Sequence, residues 1–187
     1  MAFISLLEIV YLVILTFIIG YIFSGFIKRP ATEHEIVYEK GFNWEDFKLA
    51  TIVAAPAVIL HELGHKFSAI LFGLDAVLHL FWEGLGLAVF LKLINSPFLI
   101  IAPAYVSISG KATEFQSFIT AFSGPLVNLV LFFGAWIILE RMKLTRKQAI
   151  SLYLTKQINL LLFIFNMLPI PPLDGFSVFT NLFRIIF

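Results

Sequence analysis

Two histidines four residues apart, His61 and His65, with Glu62 beside the first, stand inside the apolar stretch AVILHELGHKFSAILFG, residues 57–73. On a helix, positions i and i+4 share a face, so both imidazoles reach one zinc ion. Glu62 lies next to them, placed to draw a proton from water. HExxH alone is a weak pattern that recurs in soluble chains. Its setting adds weight, because an ionisable group at the centre of a membrane span costs about 2.5–3.5 kcal/mol even on lenient scales. The bland alternative, two satisfied core histidines and a structural carboxylate, must account for that cost three times over.

Two histidines leave catalytic zinc one protein ligand short. The chain has no cysteine, so the third ligand is another His, Asp or Glu. Candidates are Asp75, His79, Glu83, Glu114 and Asp174. Asp174 stands out because it ends NMLPIPPLDG, where Pro169, Pro171 and Pro172 forbid a regular helix and Gly175 permits close backbone approach. It reads equally well as a third ligand or as the N-cap of a last helix.

These residues need elements to hold them. The 187 residues are 60% hydrophobic and 13% charged, with a mean hydropathy of +0.96; a soluble domain is about 25% charged. The composition is that of a membrane protein. The net charge of +1 comes with no basic run or basic helix face, so no nucleic-acid partner is expected.

The amino-terminal segment, residues 1–27, lacks a basic start and a cleavage site and is expected to be retained as a first span. A polar loop with Trp44 and a solvated His34 follows. A second span covers residues 47–73. Residues 75–110 are strand-like and proline-broken, with a turn expected near Glu83-Gly84, and read as a partly embedded β-hairpin or re-entrant region. Residues 115–139 form another span. Residues 148–187 hold one more span, the LDG motif and a short C-terminal helix. Lys66 is expected to snorkel to the nearer interface. The expected fold is an all-α polytopic membrane bundle of about four to six transmembrane helices in one domain, residues 1–187.

HELGH in one span, SGPLVN opening a later one and FNMLPIPPLDG after the next appear in that order. Together they resemble the intramembrane site-2 protease family, the M50 zinc metallopeptidases, over residues 54–175. The resemblance implies one Zn2+ per chain held by His61, His65 and Asp174, with Glu62 as the catalytic acid–base. It also implies that Asn128 and Asn166 sit near the site and hold substrate backbone or the oxyanion; their plain reading is hydrogen bonding between helices. Relatives with a PDZ or CBS domain differ, since no segment here is long enough for either.

The function this implies is an intramembrane zinc endopeptidase cutting transmembrane or membrane-associated proteins, in contact with the lipid bilayer. Two alternatives use the same residues. One is a non-catalytic membrane protein of this fold that binds zinc or partner proteins, against which Glu62 speaks. The other is a small metal transporter, which needs polar residues on more spans. Orientation divides the reasoning. Lys28, Arg29, Lys40 and Lys48 after the first span, with Arg141, Lys143, Arg146 and Lys147, place those loops in the cytoplasm by the positive-inside rule. The resemblance places the zinc near the cytoplasmic face instead, and that is the expectation adopted.

Overall fold

The computed structural model describes residues 3–27, 42–96 and 103–187. His34, Lys28, Arg29, Lys40 and Pro97 lie outside them.

Four long helices carry the fold, and each begins where the sequence supplies a polar cap. α1 (Leu6–Phe23) starts at a capping box, in which Ser5 accepts from the Glu8 amide and Glu8 accepts from Ser5 N at 2.8 Å. α2 (Trp44–Leu71) starts at Asn43, whose side chain accepts from the amides of Glu45 and Asp46. Two further helices, Glu114–Arg141 and Arg146–Asn166, start at Thr113/Gln116 and Thr145/Gln148 boxes. Such caps satisfy the orphan donors of a first turn. All four helices are long and apolar enough to cross a bilayer, and they are the only ones among the described residues. That is the lower end of the expected count.

Between α2 and the third long helix the chain builds a small sheet. β1 (Asp75–Leu80) pairs antiparallel with β2 (Ala104–Ser109), in register from Asp75↔Ser109 to Leu80↔Ala104. Gly73 makes the turn out of α2 at φ +75°, a left-handed conformation that disfavours a Cβ.

The turn expected near Glu83-Gly84 is not there. Residues Trp82–Leu93 form a helix, α3, burying Gly84, Leu85 and Ala88. Leu, Ala and Lys favour a helix, and its buried stripe of Gly84, Leu85 and Ala88 is hard to see in the sequence because Gly84 carries no hydrophobic side chain. The partner of β1 comes instead from beyond α3. The helices Glu114–Arg141 and Arg146–Asn166 are thus α4 and α5, and the chain closes with α6 (Asp174–Ile186). Thirteen residues rise about 20 Å, short of a hydrocarbon core of about 30 Å.

α2 is the central element, packed on α1, α4 and α5, while α4 also receives α6. Leu15 and Ile19 of α1, Val53 and Val58 of α2, Leu78 and Leu80 of β1 and Leu85 of α3 form one core. The sheet is therefore part of the body of the protein and sits on the flank of the helix that bears HELGH.

Candidate metal centre

His61 and His65 lie one turn apart on α2, both buried. Their Nε2 atoms are 3.2 Å apart, and Asp174 Oδ2 lies 3.1 Å from the first and 3.4 Å from the second. Hydrogen bonding behind the rings fixes what these atoms are. His65 Nδ1 is 2.8 Å from the Thr120 carbonyl, which can only accept. His61 Nδ1 is 2.7 Å from Asn128 Oδ1, and the Asn128 amide nitrogen faces the Ala57 carbonyl at 3.0 Å, so that oxygen must be the acceptor. Both imidazoles therefore carry their proton on Nδ1 and turn an Nε2 lone pair inward.

Two lone pairs and a carboxylate oxygen converge with no proton among them. Asp174 Oδ2 is buried without a hydrogen-bond partner, and an orphaned buried acceptor is costly. A cation resolves the cluster. Three tetrahedral ligands around zinc at about 2.0–2.1 Å stand about 3.3–3.4 Å apart. The observed triangle matches that spacing, so these three residues fit Zn2+ as its protein ligands. They are the one such group among the described residues.

Glycines let the helices come this close. A Cβ on Gly124 of α4 would lie 2.6 Å from His65 Cε1 and 2.8 Å from His61 Nε2, and one on Gly64 of α2 would lie 2.9 Å from the Ser123 carbonyl. Ser68 and Ser123 add a hydroxyl bond of 2.9 Å across the same seam. On the other side, a Cβ on Gly175 would meet the Met167 and Leu168 carbonyl oxygens at 2.5 Å. That contact seats the start of α6 against the end of α5 and aims Asp174 inward. Asp174 is the first residue of α6, whose N-cap is Leu173, and its side chain caps nothing.

Glu62 is buried beside the histidines and lines a cleft of about 500 Å3 that also reaches Asp174, Thr120, Ser177 and Asn181. Asn166, the last residue of α5, is half-buried and lines the same cleft. Asn128 is not on it. Wholly buried, its amide is spent on His61, Ala57 and Asn159, which makes it a residue that orients a ligand rather than one that meets substrate.

Asn159 is a participant that the sequence reading did not single out. It is fully buried on α5, accepts from Asn128 at 2.9 Å and donates to the Thr155 carbonyl at 2.8 Å. An uncharged polar residue within an apolar helix is the signal that marks it.

Other candidates stay away from the cluster. His79 stacks on Tyr105 and bonds Ser107 at 3.1 Å on the open face of the hairpin, with Asp75 further along the same strand. Glu83 sits in the first turn of α3. Glu114, at the start of α4, lies 3.6 Å from Arg184. Lys66 does not snorkel. It is buried against Glu8 of α1 in an ion pair, because an acid one helix away offers a nearer partner than the interface.

β2 lines the same cleft as the metal residues, through Ala104, Tyr105, Val106 and Ile108, with Pro103 and Gly110 flanking the strand. Phe81 N donates to Pro103 O at 3.1 Å, continuing the ladder. Ala76 O and Leu78 N turn the other way, toward side chains of α2 and α1. In an antiparallel pair these directions alternate, so odd-numbered residues join β1 to β2. The N–H and C=O groups of Ala104, Val106 and Ile108 then point off the outer edge of β2.

Three proteins similar to this chain are each named "Putative zinc metalloprotease". One from Methanocaldococcus jannaschii is 34% identical over 136 residues, 71% of this chain and 69% of its own length. Another from Synechocystis sp. is 32% identical over 143 residues, 76% of this chain. The match spans only 33% of that longer relative. A third, from Bacillus subtilis, is 31% identical over 81 residues, 38% of this chain. No family model matches the chain, and no solved structure matches it significantly.

Proposed function

The chain belongs to the zinc metalloprotease family of these relatives, and we propose that it is an intramembrane endopeptidase of the site-2 type, cutting transmembrane or membrane-associated protein segments. One observation carries this reading: Glu62 sits beside three converging acceptors with zinc spacing, deep in a bundle of helices long enough to span a bilayer. A metal carrier needs the three ligands but has no use for an acid next to them.

Zinc, when bound by His61, His65 and Asp174, supplies a Lewis acid that polarises the scissile carbonyl and makes water easier to deprotonate. The remaining work falls to the chain. A Glu62 carboxylate oxygen takes a proton from the attacking water as the new C–O bond forms. It hands that proton to the leaving nitrogen as the C–N bond breaks. Asn128 and the Thr120 carbonyl keep both imidazoles in the tautomer that ligates. Asn166, on the cleft wall, is placed to hold the substrate backbone or the developing oxyanion.

A substrate helix hides its peptide bonds in its own hydrogen bonds and must unwind before cleavage. The outer edge of β2, facing the cleft, offers the unwound strand backbone partners. The protein is read as a multi-pass membrane protein in one domain, with the metal centre nearer the cytoplasmic face.

The test is cleavage of a panel of fluorescent model transmembrane segments by zinc-loaded protein in detergent, wild type beside Glu62→Gln. Cleavage by the wild type alone is the expected result. Equal cleavage by both would expose a contaminant. Silence from both, with one zinc per chain, would hand the protein to the non-catalytic alternative.

A further inference from the structure

The two outer edges of the hairpin are treated differently. On β1, Leu78 N donates to Glu8 Oε1 at 2.8 Å and Ala76 O accepts from Lys66 Nζ at 2.9 Å. Glu8 and Lys66 are paired with each other, and their side chains are only 5% and 4% exposed. Glu8 takes a further bond from Ser5 N. On β2, the outward groups of Ala104, Val106 and Ile108 meet no hydrogen-bond partner among the described residues.

Stability does not explain the buried charges. An apolar pair of similar volume fills such a space as well or better, since desolvation offsets most of the Coulomb gain. What an apolar pair cannot do is set an acceptor against an N–H and a donor against a C=O two residues away on the same strand edge. That is what a neighbouring strand supplies.

We propose that Glu8 and Lys66 act as a surrogate third strand. They occupy the outer edge of β1, so that an extended chain adds to the hairpin only at β2, on the side of the metal centre. Because Lys66 follows His65 directly, the same contact fixes the hairpin to the helix that carries both histidines. An open strand edge invites pairing with any extended segment, and filling one edge removes the unproductive choice. The inference rests on the proteolytic reading for the identity of the incoming chain.

Three double variants separate this role from that of an ordinary ion pair. Glu8→Gln with Lys66→Gln keeps an acceptor for Leu78 and a donor for Ala76 without charge. Glu8→Leu with Lys66→Leu removes both. Glu8→Lys with Lys66→Glu keeps the ion pair but sets like groups against the strand.

Amide hydrogen exchange on the zinc-loaded protein reads the edge without any need for cleavage. Leu78 is expected to be slow in wild type and the glutamine pair, and about tenfold or more faster in the leucine pair and the charge swap. For a cleaved model segment, kcat and KM are expected to fall together in the leucine pair and the charge swap, because a segment held at β1 is bound unproductively, with kcat/KM within about threefold of wild type and one zinc retained per chain. A charge swap that behaves as wild type, or a leucine pair with Leu78 still protected, overturns the proposal. So does exchange at Leu78 of the wild type as fast as at Ile108, which decides the matter even if a variant fails to fold. Absence of cleavage by the wild type would sink the proteolytic reading alone, leaving the exchange pattern to judge the surrogate strand.

Discussion

Asn128 Oδ1 lies 2.7 Å from Nδ1 of His61, and the same side chain donates to Asn159 on the neighbouring helix. The tautomer of a metal ligand on α2 is thereby set from α4, and the setting is itself held from α5. Asn128→Ala removes the acceptor behind His61. Zinc affinity is expected to fall by about 10–100-fold, the usual cost of losing such a partner. Competition against a chromogenic chelator measures it, and an unchanged affinity would remove Asn128 from the metal centre.

The third ligand gives a thermodynamic signature. A protein saturated with zinc at about 100 times Kd gains about 2.7 kcal/mol through mass action. A chelator is therefore expected to lower the Tm of the wild type, and to leave that of Asp174→Ala almost where it was. Equal chelator shifts in both would mean that the ion sits elsewhere.

Gly124 and Gly86 make a matched pair of helix glycines. Alanine at 124 would press its methyl into both imidazoles, whereas alanine at 86 meets nothing within 4 Å. Gly124→Ala is expected to cost about 1–3 kcal/mol and to weaken zinc binding. Gly86→Ala is expected to be neutral or to stabilise by up to about 1 kcal/mol through helix propensity. Thermal unfolding in detergent with a zinc titration distinguishes them; similar behaviour would show that α4 can withdraw from the histidines.

The hairpin can be interrogated one backbone group at a time. Proline at Ile108 deletes an N–H that points off the outer edge, while proline at Ser107 deletes one that joins β2 to β1. Ile108→Pro is expected to keep the bound zinc and raise KM for model segments by about tenfold, one lost backbone bond to a substrate strand being worth roughly 1.4 kcal/mol. Ser107→Pro is expected to disrupt the hairpin itself, seen as rapid amide exchange along β1. Normal KM in Ile108→Pro would retire β2 as the docking edge.

How far these features could be read from the chain varies with their range. The spacing of His61 and His65 is local and visible, as are the long apolar runs of the spanning helices. A strand-like, proline-broken region was legible across residues 75–110, with its turn expected near Glu83-Gly84, but not the two strands at Asp75–Leu80 and Ala104–Ser109. Nor was their pairing, because a helix of Trp82–Leu93 intervenes and Gly84 on its buried face adds nothing to the hydrophobic pattern. Asp174 was equally consistent with capping and with ligation; only the closeness of Gly175 to the Met167 and Leu168 carbonyls decides which way its carboxylate turns. Lys66 pairs with Glu8, 58 positions earlier in the chain, a relationship no local pattern encodes. Yet two opposite charges in otherwise apolar helices are a signal that each needs the other.

The ligands also have an order in time. His61 and His65 leave the ribosome roughly a hundred residues before Asp174, which at about 5–20 residues per second is an interval of several seconds or more. Throughout it α2 holds two of its ligands and its acid, but the triangle that retains the ion is open. On the proteolytic reading, unfolded segments of the chain meet only an incomplete metal centre throughout that interval.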